Sequence, residues 1–144
     1  MKIRILIASL LVLSGCACAE PHKLSKDSDI CAILQLTIDL PNLQQYFHVT
    51  ESPNRKPLRM VINDTIDTEC ISLKKFSEPV VFKDKQSAIT SRLPYLEAKQ
   101  IEFTQNNNSA KVIFTYDIEG INGTVRLKKK GGVWVLHDSR IVEV

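Results

Sequence analysis

No metal-binding pattern is written into this sequence: CxxC, HxxxH and HExxH spacings are absent, and the three histidines are scattered. Metal ions need converging ligands, which short motifs supply at fixed spacing, so neither a metal site nor a cofactor is expected. Long apolar runs are missing as well. The longest, Ile5 to Leu13, falls far short of the ~20 residues that cross a bilayer as a helix. No transmembrane span is therefore expected. The sequence has no internal repeat and no low-complexity tract, which excludes solenoids and arrays.

Catalytic motifs are equally scarce. Ser72-Leu73-Lys74-Lys75 matches a Ser-x-x-Lys pattern but lacks the partner motifs of serine acyltransferases. His137-Asp138 is the best acid/base candidate, with Asp117, Glu119 or Tyr116 as further groups. Neighbours on a strand point to opposite faces, however, so the two are not expected to share a site. No catalytic residue is assigned.

What the chain does have is an address. Lys2 and Arg4 precede the apolar stretch, and small residues follow it, the three-part layout of a secretory signal. Leu13-Ser14-Gly15-Cys16 resembles the lipobox of bacterial lipoproteins, in which the cysteine thiol accepts the lipid and small residues admit the peptidase. The competing reading is ordinary cleavage after Ala17-Cys18-Ala19. The resemblance implies a signal peptide over 1–15, lipidation at Cys16 and membrane attachment through acyl chains. Ala17 stands where an aspartate resembles an inner-membrane retention signal, so an outer-membrane anchor facing the periplasm is expected.

Loss of Lys2 and Arg4 leaves 17 basic and 16 acidic residues. That balance does not argue for nucleic acid. Residues 16–27 are polar and aperiodic and read as lipidated cysteine plus flexible tether, leaving 28–144 as a single domain. In an oxidising compartment Cys31 and Cys70 are expected to form a disulfide, the alternative being two buried thiols. The sequons at Asn63, Asn107 and Asn122 mark polar turns in a bacterial protein.

Ile30, Ile33, Leu34 and Ile38 recur at helical spacing behind a cap at Asp27 or Ser28, although the segment also has strand character. Pro41 can restart a shorter helix carrying Leu43, Tyr46 and Phe47. Leu58–Asn63 alternates like a strand, Cys70–Leu73 and Pro79–Phe82 are shorter strand candidates, and a helical turn or two fits between Asp84 and Leu93. Tyr95–Thr104, Ala110–Glu119, Thr124–Lys130 and Val133–Val144 are strand-like and separated by polar or glycine turns, including Gly120-Ile121-Asn122-Gly123. They predict an antiparallel meander. Ala110, Val112, Phe114, Tyr116 and Ile118 form its dry face, which something must cover. The expected fold is α+β, with an N-terminal helix packed on a curved antiparallel β-meander sheet.

The closing run Leu127-Lys128-Lys129-Lys130-Gly131-Gly132-Val133-Trp134-Val135-Leu136 resembles the end of small bacterial proteins with the nuclear transport factor 2-like or cystatin-like fold. That resemblance implies the layout over 28–144 but no catalytic residue. The same fold hosts isomerases, dehydratases, secretion components, immunity proteins and binders. Lys128 and Lys130 with Arg126 are either a solvated strand end that discourages edge pairing or a contact for an acidic partner or anionic headgroups. Trp134 reads as core or rim of the helix–sheet cleft more often than as a ligand platform, and stands with Arg126, Lys128 and Lys130 among the candidate partner-binding residues. The functional expectation is a non-catalytic envelope lipoprotein that binds a protein partner, of immunity, inhibitor or envelope-accessory type. The alternative is a small enzyme or small-ligand binder using a pocket between helix and sheet.

Overall fold

Apolar spacing becomes geometry in helix α1, Lys26–Ile38. The computed structural model describes residues 26–63 and 72–144. Ile30, Ile33, Leu34 and Ile38 share one face of the helix and are buried, as their i, i+3, i+4 recurrence requires. Thr37 lies buried among them and donates its hydroxyl to the Ile33 carbonyl at 2.8 Å. Pro41 then opens a 3₁₀ helix over Pro41–Tyr46, where its missing N–H costs nothing. Leu43 and Phe47 from this segment join the core.

Strand β1 is Arg59–Ile62. β2 (Lys74–Lys75) and β3 (Glu78–Pro79) form a small ribbon of their own, and β4 is Val81–Lys83. Helix α2, Lys85–Ser91, is capped by the Asp84 carboxylate, which accepts from Ser87 N–H at 2.8 Å. Then come β5 (Leu96–Phe103), β6 (Ser109–Tyr116), β7 (Ile121–Lys130) and β8 (Val133–Glu143). The six-stranded sheet runs β4-β1-β5-β6-β7-β8. The fold is α+β with a mainly antiparallel sheet.

Three expectations need correction. The sheet is mixed, because β1 pairs in parallel with both β4 and β5. Alternation reports which face a side chain takes but not strand direction; the connection from β1 to β4 passes through the β2–β3 ribbon and that from β4 to β5 through α2, and both are long enough for the crossovers that parallel pairing needs. Ile118 does not extend the dry face: β6 ends at Tyr116 in a 3₁₀ turn over Asp117–Glu119, leaving Ile118 56% exposed. Gly120-Ile121-Asn122-Gly123 is not all turn. Gly120, at φ +61°, makes the turn, while Gly123 sits within β7. A Cβ at Gly123 would lie 2.0 Å from the Phe114 ring, so this glycine is a packing requirement. The expected strand at Cys70–Leu73 falls largely outside the described residues.

Two register steps shape the sheet. On β5 the pairing passes from Ala98↔Phe114 to Gln100↔Ile113, making Lys99 an extra residue. On β8 it passes from Arg126↔Asp138 to Leu127↔Leu136, making His137 extra. Each bulge moves the side-chain alternation by one and increases local twist. Leu96 and Ala98 before the first bulge, and Ile101 and Phe103 after it, consequently reach the same core.

That core faces α1. Val112, Phe114, Val125 and Leu127 from the sheet join Ile30, Ile33 and Leu34 in one buried cluster. Asp29 fastens the helix to the sheet: Lys129 Nζ donates to one carboxylate oxygen at 2.8 Å and Trp134 Nε1 to the other at 2.9 Å. Cys31 on α1 is disulfide-bonded; Cys70, its expected partner, lies outside the described residues. On the opposite face α2 covers only the β1 side. Val61, Ala88, Glu97 and Thr115 are buried there, and Lys85 Nζ bonds Glu97 Oε1 at 2.8 Å. The remainder of that face, over β6–β8, is uncovered by any described element.

Candidate binding face at the bulged strand

Pairing register arranges the uncovered face in rows. One row reads Glu102, Lys111, Arg126, Asp138 across β5 to β8. Its outer carboxylates flank its inner cations, with Lys111 Nζ 3.5 Å from Glu102 and Arg126 Nη1 3.0 Å from Asp138. All four groups are well solvated, so such pairs contribute only about 0–1 kcal/mol each. The next rows hold Lys128 beside Val135 and Lys130 beside Val133. Neither Lys128 nor Lys130 is in an ion pair among the described residues. Arg140 adds a further exposed cation in the row with Thr124 and Ile113.

A hollow of about 250 Å³ opens over this face, with Glu102, Lys111, Arg126, Lys128 and His137 in its walls. The bulge explains the presence of His137. Two residues of β8, His137 and Asp138, stand against Arg126 alone, as at any bulge. The strict alternation assumed from sequence fails here, so His137 and Asp138 are neighbours of one cation after all. The charged groups of the walls are cations and one carboxylate. They can hold an anion, and they do not supply a nucleophile oriented by a base.

Trp134 does not belong to this face. It is 6% exposed, its N–H is held by Asp29, its ring meets Phe103 edge-on at 6.0 Å, and Lys129 lies over it at 5.0 Å. It is a core anchor. Arg126, Lys128 and Lys130 are exposed, as a contact surface requires. The Ser-x-x-Lys pattern also resolves into structure: Lys75 is buried, bonded to Asp39 at 2.8 Å and Gln44 at 2.6 Å, and stacked near Phe47 and Phe76. Such a cation is a strut.

No family model, curated protein or solved structure matches this chain. Its reading therefore rests on its own geometry.

A second polar group escaped the sequence. Arg55 donates to the Tyr46 and Phe47 carbonyls at 2.9 and 3.3 Å and pairs with Glu119. His48 Nε2 lies 3.5 Å from the same glutamate, and Tyr46 donates to Glu143 Oε1 at 3.0 Å. A hollow of about 370 Å³ opens beside Tyr46, His48, Glu119 and Glu143. The bond to Glu143 holds the Tyr46 phenol above its ordinary range, since ionisation would place two anions together. Burial raises neighbouring Tyr116 too, with Arg55 opposing. Glu119 and Glu143 lie far from Tyr46, His48 and Arg55 in sequence, and no local spacing announces their meeting.

Proposed function

We propose that this chain is a bacterial envelope lipoprotein whose domain binds a protein partner through the uncovered face of β6–β8. In this reading residues 1–15 are a signal peptide, Cys16 carries the lipid, and 16–27 tether the domain to the outer membrane on its periplasmic side. These positions precede the described side chains, and the lipobox Leu13-Ser14-Gly15-Cys16 supports them. The same proposal takes the architecture to be a helix laid on a curved meander, like the nuclear transport factor 2-like or cystatin-like proteins. An immunity, inhibitor or envelope-accessory protein fits the combination. Anchoring and a contact face suffice for such a role.

The single observation that carries the reading is the asymmetry of the sheet. Its α1 side is packed with aliphatic and aromatic side chains of the described residues, several of them completely buried. Its other side presents Lys111, Arg126, Lys128, Lys130 and Arg140 against Glu102 and Asp138. A chain with almost balanced charge thus concentrates cations on one face, and local charge of one sign selects partners and speeds encounter.

The test is capture from an envelope extract by the detergent-solubilised lipoprotein. A specific partner should be retained by the native protein and lost from a Lys128→Glu/Lys130→Glu variant that keeps its native circular dichroism. Capture indifferent to both reversals would remove this face from the function. The enzymatic alternative has one observation in its favour, the gathering of Tyr46, His48, Glu119 and Glu143 around a hollow. It is the better reading if a fold-neutral His48→Ala change abolishes the biological phenotype while the charge reversals do not.

A further inference from the structure

We propose that the hollow at the β8 bulge is a carboxylate-binding site, and that it receives an acidic side chain of the protein partner. The proposal rests on the reading of this face as the partner-binding surface and adds the chemical class of what enters it.

The argument begins with the donors. Arg126 offers a planar fork suited to a carboxylate, Lys128 and Lys111 offer ammonium groups, and His137 offers a ring N–H. All four border one hollow of about 250 Å³, space for one or two side chains but not for a folded loop. Its walls are predominantly apolar, which suits the methylene stem of a glutamate behind its charged end.

Two cations of the site already hold carboxylates. Arg126 takes Asp138 at 3.0 Å and Lys111 takes Glu102 at 3.5 Å. These pairs are solvent-exposed, so exchanging the internal carboxylate for an incoming one loses little. Lys128 has no such partner among the described residues and supplies the uncompensated charge. Lys130 and Arg140 flank the hollow and extend the attraction beyond it.

The bulge is the device that builds the site. Without the extra residue the register would place a β8 side chain on alternate faces throughout. With it, His137 joins Arg126 while Trp134 keeps its place in the core on the other side. Bulges commonly re-aim a side chain in this way.

The probe is blocked hexaglutamate, titrated by isothermal calorimetry into the purified, detergent-solubilised full chain. Its controls are blocked hexaglutamine, inorganic phosphate and vesicles of anionic phospholipid. Saturable hexaglutamate binding that weakens with salt is expected, with hexaglutamine inert. Replacing Arg126 by Gln or Lys128 by Gln should weaken it about three- to tenfold each, the share of one charge-assisted bond at a solvated site. His137→Ala should weaken it less, by loss of one ring N–H donor. Lys83→Gln/Lys99→Gln, which removes two charges elsewhere, should leave it within about twofold. The proposal falls if hexaglutamate binds no better than hexaglutamine, or if the Lys83/Lys99 variant loses as much as the site variants. It falls equally if phosphate or vesicles bind through Arg126 and Lys128 while the peptide does not. If the peptide fails but partner capture still depends on Lys128 and Lys130, the wider face survives and only this site is lost; if both fail, the face itself is not the binding surface.

Discussion

Asp29 shows how a single polar residue can fix a helix to a sheet. Both of its oxygens are used, one by the Lys129 ammonium and one by the Trp134 indole, and it is almost fully buried. Truncation leaves a partly buried cation and a buried N–H unpaired. Asp29→Ala should therefore lose about 2–4 kcal/mol of unfolding free energy. Trp134 is the sole tryptophan, so urea unfolding followed by its emission reads the loss directly; a change below about 1 kcal/mol would contradict the clasp. Thr115 presents the opposite case. Its hydroxyl oxygen is buried and has no partner among the described residues, so Thr115→Val removes an unsatisfied group and retains the shape. That variant should be neutral or up to about 1 kcal/mol more stable by the same assay. Tyr116 adds a pH dependence. Burial raises its folded pKa above the unfolded value near 10, so the folded state holds this proton more tightly. The corresponding stability is present below about pH 10 and is lost as pH rises through the folded pKa. Tyr116→Phe should flatten that alkaline decline, as thermal melts between about pH 9 and 11 would show.

At the scale of elements, the bulge in β8 separates what could be read from sequence and what could not. Helix α1, the 3₁₀ turn at Pro41 and strands β5–β8 were legible because each rests on a local signal: apolar spacing, a proline in a first turn, alternation between polar turns. Parallel pairing of β1 was not legible, since direction is decided by a long crossover. Neither bulge was legible, because one extra residue leaves composition and rough alternation intact. The consequence fell on the site. Arg126, Lys128 and Lys130 are legible from their own strand, Trp134 takes the core position of the two its sequence allows, and the alternation that separates His137 from Asp138 is broken by the bulge. The contacts around Arg55 were hidden for a different reason, being meetings between distant segments. A deletion tests the bulge. Removing His137 joins Leu136 directly to Asp138, so that Arg126↔Asp138 and Leu127↔Leu136 become successive pairs of a regular ladder and every side chain keeps its face. Trp134 should therefore stay on Asp29, and unfolding free energy followed by its emission should fall by no more than about 1 kcal/mol. His137→Ala keeps the extra residue and should change stability by less than about 0.5 kcal/mol. A deletion that costs more than about 3 kcal/mol, or that moves the indole into water, would show that the pairing on either side of the bulge depends on it.

For the whole molecule, the two faces of the sheet are unlike. Helix α1 lies on the packed face, while the basic face looks the other way. Cys31 on the same helix is disulfide-bonded. We expect Cys70 to be its partner, closing a loop of about 40 residues that contributes roughly 3–4 kcal/mol if unstrained. Non-reducing peptide mapping decides between Cys70 and the other cysteines. If Cys16 carries the lipid as proposed, nine residues of chain between it and α1 reach at most about 30 Å, which would keep the domain close to its membrane. If Cys16 bears about two or three acyl chains, anchoring is stable where a single chain would be marginal. Anchoring through the lipid should then be separable from binding through the basic face. Intact mass of the membrane-extracted protein should show a chain that begins at Cys16 and carries those acyl groups. Cys16→Ser should release the protein from the membrane fraction while hexaglutamate affinity stays within about twofold. A native N-terminus found unmodified at Glu20 would rule out the anchor. A Cys16→Ser protein that is released but no longer binds the peptide would show that membrane attachment and the basic face are not independent.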